Sequence, residues 1–148
     1  MKSRRSCREA ALQALYQFDT LGEFSPETFQ LFLDHFQSQV ELDDSDLESR
    51  LVADQFCREL VHGVVERLET IDEEISRASA HWSLTRMARV DRNILRVATF
   101  ELLFRDDVPH KVSINEAIEI AKRFSSPEAS MFINGVLDSI AAHLPPRT

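Results

Sequence analysis

The sequence predicts an all-α fold of six to seven helices, and three observations carry that expectation. Apolar residues recur at three- and four-residue spacing along most of the 148-residue chain, the period of a helix with one buried face. Three glycines and five prolines are few, while Leu, Ala, Glu and Arg are plentiful. No stretch alternates with the period of two that a half-buried strand needs, and there is no internal repeat or low-complexity tract. A chain of this length forms one domain, or two small subdomains sharing a core, and buries enough surface to need no disulfide or metal staple.

The elements follow in order. Ala11, Leu12, Leu15 and Phe18 place a first helix from about Arg5 to Asp19, and Gly22 ends it. Ser25-Pro26 reads as an N-cap followed by proline at the first helical position. Phe29, Phe32, Leu33 and Phe36 then mark a second helix to about Gln39. Ser45-Asp-Leu-Glu48 is a capping box. It opens a long run carrying Leu51, Phe56, Leu60, Val64, Leu68, Ile71 and Ile75, in which Gly63 marks a bend, a close helix crossing or a division into two. After Trp82, SLTRMARVDR is a short helical connection. Val90 to Arg105 is apolar on several sides, so it is expected at the centre, with Arg89, Arg92 and Arg96 on one stripe. Asp106-Asp-Val-Pro109 ends it. Ser113-Ile-Asn-Glu116 is a second capping box, predicted to open a helix with Ile114, Ala117, Ile118 and Ala121 inward. Ser126-Pro127 caps a last helix with Ile133, Val136, Leu137 and Ile140 inward. The tail HLPPRT is expected outside regular structure.

Charge is segregated. The opening MKSRRSCR holds Lys2, Arg4, Arg5 and Arg8 and no acid, in a chain of net charge −8. These cations stand at a helix N-terminus, where the macrodipole favours anions. An anionic partner such as a nucleic-acid backbone compensates; a solvated basic tail is the plainer alternative. Residues 19–75 hold three cations and sixteen acids, a net of −13, and the remainder holds fourteen cations and nine acids, a net of +5. An acidic lobe repels nucleic acid and a basic one attracts it.

Catalytic signatures are absent. There is no phosphate-cradling glycine loop. His35, His62, His81, His110 and His143 show no metal-ligand spacing, and no Ser, Cys and His gather as a nucleophile motif. No catalytic residue, metal or cofactor is expected. Cys7 and Cys57, fifty residues apart, are expected to be reduced thiols. No apolar run approaches a membrane span and no signal-peptide core follows the basic start, so the expectation is a soluble cytoplasmic protein.

Two stretches resemble a known family. RRSCREAALQALYQFD resembles the RRxARExALQALY opening of the transcription antitermination factor NusB family. VDRNILRVATFELLFRDDVPHKVSINEAIEIAKRFSSPEASMFINGVLDSI is similar to its longest motif, in order. Residues 20–80 share only helical character. The resemblance implies one NusB-like RNA-binding domain over residues 1–148, built of two small helical bundles sharing a core, about 1–80 and about 81–148. It implies a non-catalytic regulator of transcription and of ribosomal RNA synthesis. Such proteins bind the single-stranded boxA element of nascent RNA together with NusE, a small-subunit ribosomal protein. The complex joins RNA polymerase and other Nus factors. Some members dimerise, and the sequence leaves both a monomer and a homodimer open.

Matched residue by residue, the family's arginine-rich motif falls on Arg4, Arg5 and Arg8, with Lys2 beside them. Guanidinium groups pair bidentately with phosphate and stack on bases, which agrees with that role. The second RNA-facing region falls on the loop Ser125–Ser130, with Ser126, Glu128 and Ser130, and on Phe132. Phe132 borders the inward stripe, where a ring stacks on an unpaired base for ~1–3 kcal/mol or merely edges the core. The Ser126 cap offers backbone N–H groups to an anion. The NusE-facing surface falls near Tyr16, Asp91 and His110. Tyr16 equally suits the core with its hydroxyl outward, and an acid such as Asp91 is favourable at a helix start anyway. Gly135 is expected to permit close helix packing.

Three positions depart from the family pattern. Ser6 and Met131 stand where basic residues are frequent, and Ser125 stands where glycine is. Two lost cations imply weaker RNA binding alone and greater dependence on NusE. The competing reading is a protein-only adaptor whose acidic lobe binds a basic ribosomal-type partner. A third, the RNA-binding front domain of a ribosomal RNA cytosine methyltransferase, is disfavoured because no cofactor-binding domain precedes Thr148.

Overall fold

The computed structural model describes residues 4–25, 27, 28, 31, 47–80 and 82–145. Lys2, the expected helix from Phe29 to Gln39, the Ser45 capping position and the last three residues lie outside them. The described residues form six α-helices and one 3-10 turn, with no strand. The chain divides into two compact units, Met1–Val65 and Glu66–Thr148.

In the first unit, α1 (Arg4–Leu21) buries Cys7, Arg8, Ala11, Leu12, Leu15 and Phe18 on one stripe. Gly22 ends it at φ 71°, a left-handed conformation that favours glycine. The amide of Glu23 closes back on the Phe18 carbonyl at 3.0 Å. Ser25 acts as a cap, its hydroxyl accepting from the Thr28 amide at 3.1 Å. In α2 (Leu47–Glu66), Phe56, Cys57, Leu60, Val61 and Val64 are buried. Cys7 and Cys57 are thiols, each 2% exposed.

The second unit begins where the long expected helix divides. The break is at Arg67 (φ −116°, ψ 24°), four residues beyond Gly63, and α3 (Leu68–Ala78) starts immediately after it. The Arg67 guanidinium lies 4.3 Å from the Phe104 ring centre. A 3-10 turn, Leu84–Arg86, leads into α4 (Arg89–Phe104). Ten consecutive α4 residues, Asn93 to Leu102, are buried. That follows from its position, because α3, α5 (His110–Phe124) and α6 (Pro127–Ala142) all pack on it.

Burying α4 on all sides draws its arginines into pairs, while the fully buried Thr99 hydroxyl finds no hydrogen-bond partner. Arg96 is 7% exposed; its Nε and Nη2 donate to the two carboxylate oxygens of Asp72 at 2.9 and 3.0 Å, and Nη1 donates to Asn93 Oδ1 at 3.0 Å. Arg92 donates to the Leu84 carbonyl at 3.3 Å. Two of the three stripe arginines therefore hold α4 to its neighbours.

Three local expectations are corrected. Ser113 does not cap α5, which begins three residues earlier, after Pro109 in an extended conformation (ψ 143°). Ser113 is a buried helix residue whose hydroxyl donates to the buried carboxylate of Glu101 at 3.1 Å. The capping-box spelling was the by-product of a core hydrogen bond. Gly135 does not admit a close neighbour either: a Cβ built there meets no heavy atom within 4 Å. Within α5, Ile120 and not Ile118 joins Ile114, Ala117 and Ala121 in the buried set.

Candidate nucleic-acid interface

In the first unit, Arg4 and Arg5 are exposed at the start of α1. The Arg4 guanidinium stacks 4.5 Å from the Phe56 ring centre, which orders its side chain while leaving the residue at the surface. Arg8 departs from expectation. It is 3% exposed, with its guanidinium 5.4 Å from the same ring. The reason is register: Arg8 sits one turn ahead of Leu12, on the stripe that continues through Leu15 and Phe18. So enclosed a group offers little surface to a phosphate, and among the described residues of this opening cluster the exposed cations are Arg4 and Arg5.

In the second unit, the N-terminus of α6 faces the 3-10 turn and the first turn of α4 across a cleft of about 320 Å³. Trp82, Arg86, Met87, Ala88 and Asp91 form one wall, and Glu128, Ala129 and Phe132 form the other. The Trp82 and Phe132 rings meet edge to face, 6.4 Å between centres and 73° apart. Trp82 is 54% exposed, and Phe132 is half-buried at the border of the α6 stripe, as its spacing predicts.

The loop between α5 and α6 is held by its serines. The Ser125 amide closes α5 on the Ala121 carbonyl at 2.8 Å, while its hydroxyl donates to Asp91 Oδ1 at 2.7 Å. Ser126 caps α6, accepting from the Ala129 amide at 3.0 Å. Ser130 is 5% exposed and donates to the Pro127 carbonyl at 2.7 Å, so its hydroxyl serves the helix and not the surface. The anion site expected of this cap is small. Pro127 has no N–H, the Ala129 amide is taken by Ser126 Oγ, and the Ser130 amide bonds the Ser126 carbonyl at 2.9 Å.

Of the residues expected to face a protein partner, Tyr16 is 43% exposed on α1. Asp91 is half-buried and lines the cleft, and His110 is half-buried at the first position of α5. The structure thus brings Asp91 into one cleft with Glu128 and Phe132. It also adds Trp82 and Arg86, which the sequence reading did not single out. The one tryptophan of the chain, standing among polar residues in a connection, was the available signal. Among the described residues, no group of three or more His, Cys, Asp or Glu is arranged to hold a metal, and no helix is long and apolar enough to cross a membrane.

Comparison with known proteins agrees with this architecture. Residues 5–142 match the model of the NusB family. The transcription antitermination protein NusB of Citrifermentans bemidjiense is 46% identical over 142 residues, 96% of either chain. NusB of T. maritima superposes with a TM-score of 0.79 at 39% identity, over 99% of this chain and 96% of its own. A crystal structure of antitermination factors NusB and NusE in complex with dsRNA contains a chain that superposes with a TM-score of 0.76 at 27% identity, over 95% of this chain and 97% of its own. With the family model matched over residues 5–142 and a relative 46% identical over 96% of its length, this chain belongs to the NusB family.

Proposed function

We propose that the chain is a non-catalytic transcription antitermination factor. It binds the boxA element of nascent ribosomal RNA together with NusE, in the cytoplasm, and joins RNA polymerase with other Nus factors. Likeness to proteins named for antitermination over nearly the whole chain supports the general role. The single observation that carries the RNA reading is the cleft with two aromatic walls, Trp82 and Phe132.

Charge divides the labour. Asp91 and Glu128 outnumber Arg86 in the cleft lining, so the cleft disfavours phosphate, an unpaired base enters it and the backbone stays outside. There the base stacks on an aromatic face, and the Glu128 carboxylate accepts from an exocyclic amine. Phosphates are met by Arg4 and Arg5, and Lys2 belongs to the same group in this reading. Arg8 orders the Phe56 side chain against which Arg4 stacks. Ser126 and Ser130 act by shaping the first turn of α6. Tyr16, Asp91 and His110 face NusE.

The test is fluorescence anisotropy of a labelled single-stranded boxA RNA, titrated with this protein with and without purified NusE. The expected result is weak binding alone and marked strengthening with NusE, because basic residues are missing at Ser6 and Met131. Equal affinity in both arms refutes the dependence on NusE. Binding of NusE with no RNA binding in either arm refutes the RNA reading and leaves a protein-only adaptor.

A further inference from the structure

The cleft has two walls from distant parts of the chain, joined by the Trp82–Phe132 ring contact and, at the loop before α6, by a side-chain hydrogen bond. Asp91 stands in the first turn of α4, and Ser125 closes α5, thirty-four residues later. The Ser125 backbone amide already serves as the helix cap, so its hydroxyl is spare for the carboxylate. The 2.7 Å bond is short, as expected when the acceptor is a carboxylate. The next residue, Ser126, caps α6, and Glu128, Ala129 and Phe132 follow within two turns. A change at the Asp91 carboxylate is therefore one hydrogen bond and one residue away from the helix end that carries the second wall.

From this arrangement we infer that Ser125 is a positioning residue that couples the two binding events. Its hydroxyl holds the Asp91 carboxylate in one orientation, presented to a cation of the protein partner, and at the same time anchors the α6 N-terminus. A partner that fixes Asp91 thereby fixes the Ser126–Phe132 wall, and the base-binding cleft is ordered before RNA arrives. Coupling between two sites requires an element that both ligands bias, and this bond supplies it. The inference rests on the RNA and NusE reading above. The serine matters because a glycine at this position has no hydroxyl to offer.

The experiment measures the enhancement ratio, the Kd for single-stranded boxA RNA without NusE divided by that with saturating NusE. It is determined for the full chain and for Ser125→Ala, Ser125→Thr, Asp91→Ala and the Ser125→Ala/Asp91→Ala double variant. Ser125→Ala is expected to lower the ratio roughly 5-fold, within the range of ordinary coupling energies. Ser125→Thr restores it, and Ser125→Ala adds no loss in the Asp91→Ala background, which has no acceptor for the hydroxyl. Amide exchange at Ala129, faster in Ser125→Ala and restored in Ser125→Thr, reports the tie itself without RNA. A ratio unchanged by Ser125→Ala, or fully additive losses in the double variant, overturns the coupling and leaves the functional reading standing. A wild-type protein that binds no RNA in either arm overturns the functional reading, and the coupling falls with it.

Discussion

Replacing Trp82 by alanine isolates the base-binding step. The indole is 54% exposed, so its loss removes little from the core. Its ring contact with Phe132, worth ~0.5–1.5 kcal/mol, is the main intramolecular loss and also frees the Phe132 ring. A base stacked on an aromatic side chain contributes ~1–3 kcal/mol, which is a factor of ~5 to 150 in Kd. Trp82→Ala is therefore expected to weaken single-stranded boxA binding by roughly 10-fold or more, with a melting temperature close to that of the parent. Anisotropy in the presence of NusE measures the affinity, and circular dichroism checks the fold. Because the chain has one tryptophan, its fluorescence is a second probe: a stacking base quenches Trp82 as RNA is added. Duplex RNA, whose bases are already stacked on one another, should quench it far less. An unchanged affinity in a folded variant, or equal quenching by single-stranded and duplex RNA, refutes the argument that an unpaired base occupies the cleft.

The remaining predictions concern charge and stability. Arg4→Ala and Arg5→Ala should each flatten the salt dependence of RNA binding by ~0.7 in log–log slope, the value for one phosphate contact on a single strand, whereas Arg8→Ala should leave the slope alone and lower the melting temperature. Asp72→Ala strips the buried Arg96 guanidinium of both its carboxylate bonds and should cost about 3 kcal/mol, or a fall of roughly 6–12 °C on thermal melting. Asp107→Ala breaks a pair with Arg105 in which the acid is 49% exposed, so urea unfolding should show a loss of at most about 1 kcal/mol. Ser126→Ala removes the α6 cap and should lower unfolding stability by about 1 kcal/mol in the same measurement.

The helical architecture was legible because it depends on local periodicity and on punctuation. The stripes of α1, α4 and α6, the stop at Gly22, the 3-10 connection after Trp82 and the Ser126-Pro127 cap follow from spacing and from the conformational limits of glycine and proline. Helical register also held information that a charge count overlooks: Arg8 and Ser130 both fall on buried stripes, and both are enclosed.

Tertiary packing settled what no local rule reaches. The Ser113 capping-box spelling lost to a hydrogen bond with Glu101, a residue on another helix. The long helix expected after Ser45 broke at Arg67 and not at Gly63, beside the ring of Phe104, thirty-seven residues away in the chain. Trp82, Asp91, Glu128 and Phe132 lie on segments up to fifty residues apart, and only the packing of α6 near the start of α4 makes them one cleft. Propensity and periodicity act over a few residues, but a binding site is set by which helices meet. That choice is made by the burial of α4 among its neighbours and the hydrogen bonds that burial makes obligatory.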